Sequence, residues 1–208
     1  MIDSVEANKS EGTELVVYVA EDDPRIADYA PVLARVKHIV GPRLNMVEVL
    51  NYLACEAYPD VPYYTDLNDD QYVMTPEWDA KMIEACNSRN NGWCMSAILS
   101  PMGLPYAGVI PGKLVRTVGH YFPRMFVHTW VDNVLREYEH AGLLVYVPDV
   151  VVEHRHPCFG TPPDETFSSW SATQQQFTVG QAAFENWAST CKHAEWDKIE
   201  AAKQQERA

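Results

Sequence analysis

The stretch Tyr63-Tyr64-Thr65-Asp66-Leu67-Asn68-Asp69-Asp70 decides how the chain is read. A β-prone run from Val61 to Thr65 leads directly into a cluster of carboxylates. In open α/β sheets, ligands bind outside the carboxyl ends of the strands. Acidic side chains at such an end form an oxygen-rich pocket suited to Mg²⁺ or Mn²⁺. Taken by itself, the same cluster is equally a solvated loop capping the next helix. The weight comes from what flanks it.

Upstream, residues 1 to 10 read as a helix tail ending at Gly12. Leu15 to Ala20 is a continuous apolar run, the pattern of a strand buried on both faces in a parallel sheet. It too ends in acids, Glu21-Asp22-Asp23-Pro24, and residues 25 to 34 read as a short helix or turn. Val36 to Val40 is a short strand. Gly41-Pro42-Arg43 then opens a helix to about Ala57, with Pro42 at its first position and Arg43 at its positive end, where phosphate is welcome.

Downstream, Thr75-Pro76-Glu77-Trp78-Asp79 reads as a helix start, with Thr75 as the cap. Trp93 to Leu99 is a strand, and residues 100 to 124, rich in Gly and Pro, read as the longest irregular segment and the place of an acceptor-binding loop. Trp130 to Ala141 is a helix stopped by Gly142, with Asp132 and Asn133 in its first turn. Leu143 to Val147 and Val150 to His154 are strands. In the second, His154 and His156 share one face and Glu153 and Arg155 the other. Two imidazoles on one face make a candidate metal grip. Residues 158 to 170 read as a loop. From Ser171 the pattern is helical, with Phe177, Phe184, Trp187 and Cys191 as core packing, and the tail from Lys198 frays.

The chain has 208 residues, 47% hydrophobic and 11% aromatic, enough for one full-sized domain or a domain with an extension. A net charge of −13 argues against strong electrostatic binding of nucleic acid or of an anionic membrane. A metal ion or a few Arg still serve a small anionic substrate, and Lys113, Arg116 and Arg124 form a candidate basic strip. Five scattered cysteines with no CxxC pair read as reduced thiols. Neither a signal peptide nor a bilayer-spanning run is present in the pattern, so a cytoplasmic protein is expected.

Taken in order, the matches are Ala20-Glu21-Asp22-Asp23-Pro24, Gly41-Pro42-Arg43 with Asn51, Asn68-Asp69-Asp70 with Thr75-Pro76-Glu77-Trp78-Asp79, Trp130-Val131-Asp132-Asn133, and Val152-Glu153-His154-Arg155-His156-Pro157. In that order the chain resembles the GT-A-fold, nucleotide-sugar-dependent glycosyltransferases, most of all the small ones of bacteriophages and bacteria. The resemblance implies an α/β, Rossmann-like fold with a mixed, mostly parallel sheet flanked by helices, lacking the family's usual first strand. It implies a transferase domain over residues 1–170, with residues 171–208 as a helical extension packed on it. It implies that Asp22 and Asp23 contact the nucleoside, that Arg43, Asn51 and Asp69 help hold the nucleotide sugar, and that Asp70 binds Mn²⁺ or Mg²⁺. His154 or His156 completes the metal shell, and Asp132 is the acceptor-binding residue or general base. Asn68 stands where the family has Gly. The donor is then a nucleotide sugar, and the acceptor a glycan, a small molecule or a modified nucleobase. Two other classes stay open: a metal-dependent phosphoesterase, and a non-catalytic module of the same fold.

Overall fold

A computed structural model describes residues 1–126, 130–157, 160–162 and 173–207, with only the helical backbone over 173–176. The chain opens with α1 (Ile2–Asn8), β1 (Val16–Ala20), a short 3₁₀ turn (Ile26–Tyr29), α2 (Ala30–Leu33) and β2 (Lys37–Gly41). It continues through α3 (Met46–Tyr52), which runs on as a wider turn (Leu53–Ala57), to β3 (Tyr63–Thr65), β4 (Gln71–Val73) and α4 (Trp78–Asn87). Then come β5 (Met95–Leu99), β6 (Pro105–Pro111), α5 (Gly112–Val118), α6 (Val131–His140), β7 (Leu144–Tyr146) and β8 (Val152–His154). Two long helices follow, α7 (Thr173–Thr190) and α8 (Lys192–Arg207).

The fold is mixed α/β. The main sheet has the order β3-β6-β5-β7. β6 runs against both neighbours, and β5 is parallel to β7. So β3, β5 and β7 point one way and β6 alone is reversed. β1 and β2 form a separate parallel pair, and β4 and β8 an antiparallel one. This corrects the expectation of a mostly parallel sheet: three of the five described pairings are antiparallel. The reason is local. β5 passes to β6 through a tight turn, in which Ser100 N–H donates to Leu104 O at 2.8 Å. A connection that short closes a hairpin, whereas parallel strands need a crossover of about a dozen residues or more.

Two apolar clusters hold the layers together. One joins Val47 of α3, Leu114 and Val115 of α5, Val134 and Tyr138 of α6, and Trp187 and Ile199 of α7 and α8. The other joins Val5 of α1, Val73, Trp78, Met82, Ile98, Val109 and Val152, on the opposite face of the sheet. α1 is fastened to β4 by side chains: Val73 N–H donates to Ser4 Oγ (3.1 Å), and Asn8 Nδ2 donates to Val73 O (3.0 Å).

Several sequence expectations change. Residues 105–118, expected to be irregular, form β6 and α5, because Pro105 begins a strand and Pro111 caps a helix, where neither has to donate a hydrogen bond. α3 starts at Met46, not Pro42. Asn45 caps it, in a reciprocal box with Glu48. α4 starts after Glu77, because the Thr75 hydroxyl accepts Val151 N–H at 2.8 Å instead of capping the helix. The tail from Lys198 does not fray. Ile199 is fully buried, and Trp93 Nε1 donates to Glu206 at 2.7 Å. The expected loop at 158–170 lies outside the described residues except for 160–162, as do 171–172. Among the described residues, no helix is long and apolar enough to cross a membrane.

Candidate functional site

The β4–β8 ladder does the assembling. Gln71 pairs with His154, and Arg155 N–H donates to Asp70 O at 2.8 Å. This register places the residue before β4 beside the end of β8. Asp70 Oδ2 lies 3.1 Å from His154 Nε2, although the two are 84 positions apart in sequence. Burial acts to raise the Asp70 pKa, but the hydrogen bond and charge of His154, with the charge of His156, outweigh it and hold the carboxyl below its usual value. Asp70 Oδ1 is buried and has no hydrogen-bond partner among the described residues. The His154 and His156 ring centroids lie 5.4 Å apart, and the Tyr106 ring stacks on the His154 ring itself, with centroids 5.9 Å apart and 22° between planes.

A second acidic group adjoins the first. Asp66 follows β3, and Tyr121 Oη donates to its Oδ1 at 2.6 Å. Asp132 sits in the first turn of α6. Both residues keep some surface, yet protein crowds their carboxyls. Burial pushes the Asp66 carboxyl up, against the Tyr121 hydrogen bond. Asp132 is pushed up to about 6 by burial and then by the Asp66 charge, with His154 and Arg136 pulling the other way. A carboxyl near that value suits general-base work close to neutral pH.

The remaining residues fall into place unevenly. Arg43 Nε and Nη2 meet the two Asp22 carboxylate oxygens at 3.0 Å each, a forked pair beyond the ends of β1 and β2. Asp23 closes its own turn by accepting Arg25 N–H at 2.8 Å. Among the described residues, no hydrogen bond or ion pair joins Asp22, Asp23 or Arg43 to Asp70 or His154. Asn51 is fully buried, and both ends of its amide are taken by backbone: its Nδ2 donates to Phe122 O (2.8 Å), and its Oδ1 accepts Tyr121 N–H (2.6 Å). It therefore braces the segment that carries Tyr121 to Asp66. Asp69 is exposed. Asn68 is not among the residues of positive φ, so the departure from Gly costs no backbone strain. In the expected basic strip, Lys113 is bound to Glu206 (3.1 Å) and Arg116 to the Pro59 carbonyl (3.0 Å).

Tyr121 and Tyr106 carry no signal of a site in the sequence, whereas Asp66 belongs to its acidic stretch. Asp66 was visible within the acidic stretch, but its tyrosine partner lies 55 residues away. A groove of about 370 Å³ between α6 and α8, lined by His140, Lys192, His193 and Trp196, contains none of the expected site residues.

A divalent ion fits the chemistry of this corner in part. An unpartnered carboxylate oxygen beside an imidazole nitrogen is a donor pair for Mn²⁺ more than for Mg²⁺, which favours oxygen ligands. Among the described residues, no group of three or more His, Cys, Asp or Glu is arranged to hold a metal ion. Compared with protein-family models and with curated proteins, the chain matches none.

Proposed function

We propose that the chain is a metal-dependent glycosyltransferase that moves a sugar from a nucleotide diphosphate sugar to an acceptor hydroxyl. One observation carries this reading. A carboxyl pushed up to about 6 lies within electrostatic reach of an Asp70–His154 pair at the strand ends. Asp132 takes the proton of the acceptor hydroxyl. Burial, and after it the neighbouring Asp66 charge, raises its proton affinity, and Tyr121 and Asn51 hold Asp66 in place. Asp70 and His154 would hold the ion, with His156 beside them. When bound, the ion would supply Lewis acidity toward the leaving nucleoside diphosphate. Arg43 and Asp22 face the nucleotide from the ends of β1 and β2, with Arg43 available to a phosphate once it parts from Asp22. The acceptor is a glycan, a small molecule or a modified nucleobase.

The test is a thermal-shift screen of nucleotide sugars with and without Mn²⁺. A donor at a hundred times its Kd adds about 2.7 kcal/mol of stability. Asp70→Ala and His154→Ala are each expected to remove the Mn²⁺-dependent part. A shift that survives both substitutions overturns the metal corner. The absence of a shift with any nucleotide sugar favours the non-catalytic module, and turnover of simple phosphate esters favours the phosphoesterase.

A further inference from the structure

The register of β6 contains an irregularity whose consequence reaches His154. Ser96 pairs with Val109 and Ile98 with Tyr106. Between these pairs β5 spends one residue, Ala97, and β6 spends two, Ala107 and Gly108. That is a β-bulge, and Ala107 takes the left-handed conformation there, with φ 45°. Gly108 allows the close approach, since a Cβ on it would stand 3.1 Å from Ser96 O.

In a regular strand, residues an odd number apart face opposite sides. Tyr106 would then share the face of Ile110, which belongs to the cluster with α5 and α6. The extra residue turns Tyr106 over. It joins Val109 in the cluster of Val73, Val150 and Val152, on the side where β4 and β8 lie. There the side chain is fixed at both ends. Tyr106 Oη donates to Val152 O at 2.6 Å, and the ring lies on the His154 imidazole at 5.9 Å with 22° between planes. Burial raises the Tyr106 phenol pKa, which keeps it a donor.

We infer that Tyr106 is the positioning residue of His154: the bulge delivers its ring to the imidazole face and so sets the plane in which Nε2 meets Asp70. The ring contact stands on geometry alone. Its consequence for a metal rests on the function proposed above. Groups that orient a metal-binding imidazole typically change metal affinity about 10–100-fold when removed.

Two measurements on the full chain separate these claims. In the metal-free wild type, NMR is expected to show the His154 ring protons displaced by the Tyr106 ring current. The displacement persists in Tyr106→Phe and is lost in Tyr106→Leu. Mn²⁺ binding, followed by electron paramagnetic resonance, is expected to weaken at least about tenfold in Tyr106→Leu and to stay within about threefold in Tyr106→Phe. The wild-type resonance needs no variant, so misfolding of the leucine form leaves the test intact. His154 protons at undisplaced positions in the wild type overturn the inference. So does a folded leucine variant that matches the wild type in both measurements. A displaced resonance with no Mn²⁺ binding by the wild type overturns the metal function and leaves Tyr106 in its positioning role.

Discussion

A carboxyl pushed up to about 6 changes the protein's behaviour between pH 4 and 7. Unfolded, Asp132 titrates near its ordinary value of 3.8; folded, it titrates near 6. Below about pH 4 it is protonated in both states and contributes nothing to stability. As pH rises from there to about 6, the unfolded chain gives up the proton first, so stability falls. Above that window a penalty of about 3 kcal/mol remains. Asp132→Asn is therefore expected to be more stable than the wild type at pH 7 by up to about that amount, with the gain vanishing near pH 4, in urea unfolding at the two pH values. Under the proposed function the same substitution costs about 10²–10⁴-fold in transfer rate. An equal gain at both pH values means the charge is not what destabilises the fold. In the sequence Asp132 is marked by the family resemblance and by its place in a first helical turn. The sequence does not reveal what raises its pKa, because the burial of Asp132 and its approach to Asp66 come from the tertiary fold rather than any local spacing.

Elements were legible where a period or a cap was strong and illegible where proline and glycine carried a double meaning. The run Leu15–Ala20 contains β1, and Trp130–Ala141 contains α6. β6 hid because Pro105, Gly108 and Pro111 look like loop chemistry, yet they sit at a strand start, a bulge and a helix cap. The β4–β8 ladder shows the limit most clearly. Two strands of three residues each carry the candidate metal corner, and neither is long enough to declare its partner. Their stability depends on α1. Val73 is almost fully buried, and its N–H reaches Ser4 Oγ. Ser4→Ala leaves that donor without a partner and is expected to cost about 1–3 kcal/mol. Chemical denaturation measures the loss, and hydrogen exchange at Val73 locates it. A change within about 0.5 kcal/mol would show that the ladder holds without the helix.

At the scale of the whole molecule, the boundary drawn at residue 170 divides a shared core. Trp187 and Ile199 are fully buried in one cluster with Val47, Leu114 and Val134. His120 and Trp187 both approach Glu195 Oε1, at 3.0 and 2.9 Å. A chain cut after residue 170 is expected to lose its cooperative thermal transition, because removing two large buried side chains alone costs several kcal/mol of a stability that is typically about 5–15 kcal/mol. A sharp calorimetric melt of residues 1–170 would show instead that this segment folds by itself. The amphipathic pattern after Ser171 was readable from sequence. That the helices complete the central core was not, since helical periodicity names the face that is buried and not what covers it.

The placement of Ile199 also bears on how the protein is made. On a translating ribosome, β5, β6 and α5 emerge long before the helix that covers them. The nascent chain must therefore carry an uncapped apolar surface until α8 has emerged. During that interval its fate rests on chaperone shielding and elongation speed, so slowing translation across the codons for residues 171–207 should lower soluble yield more than slowing it across those for residues 1–170.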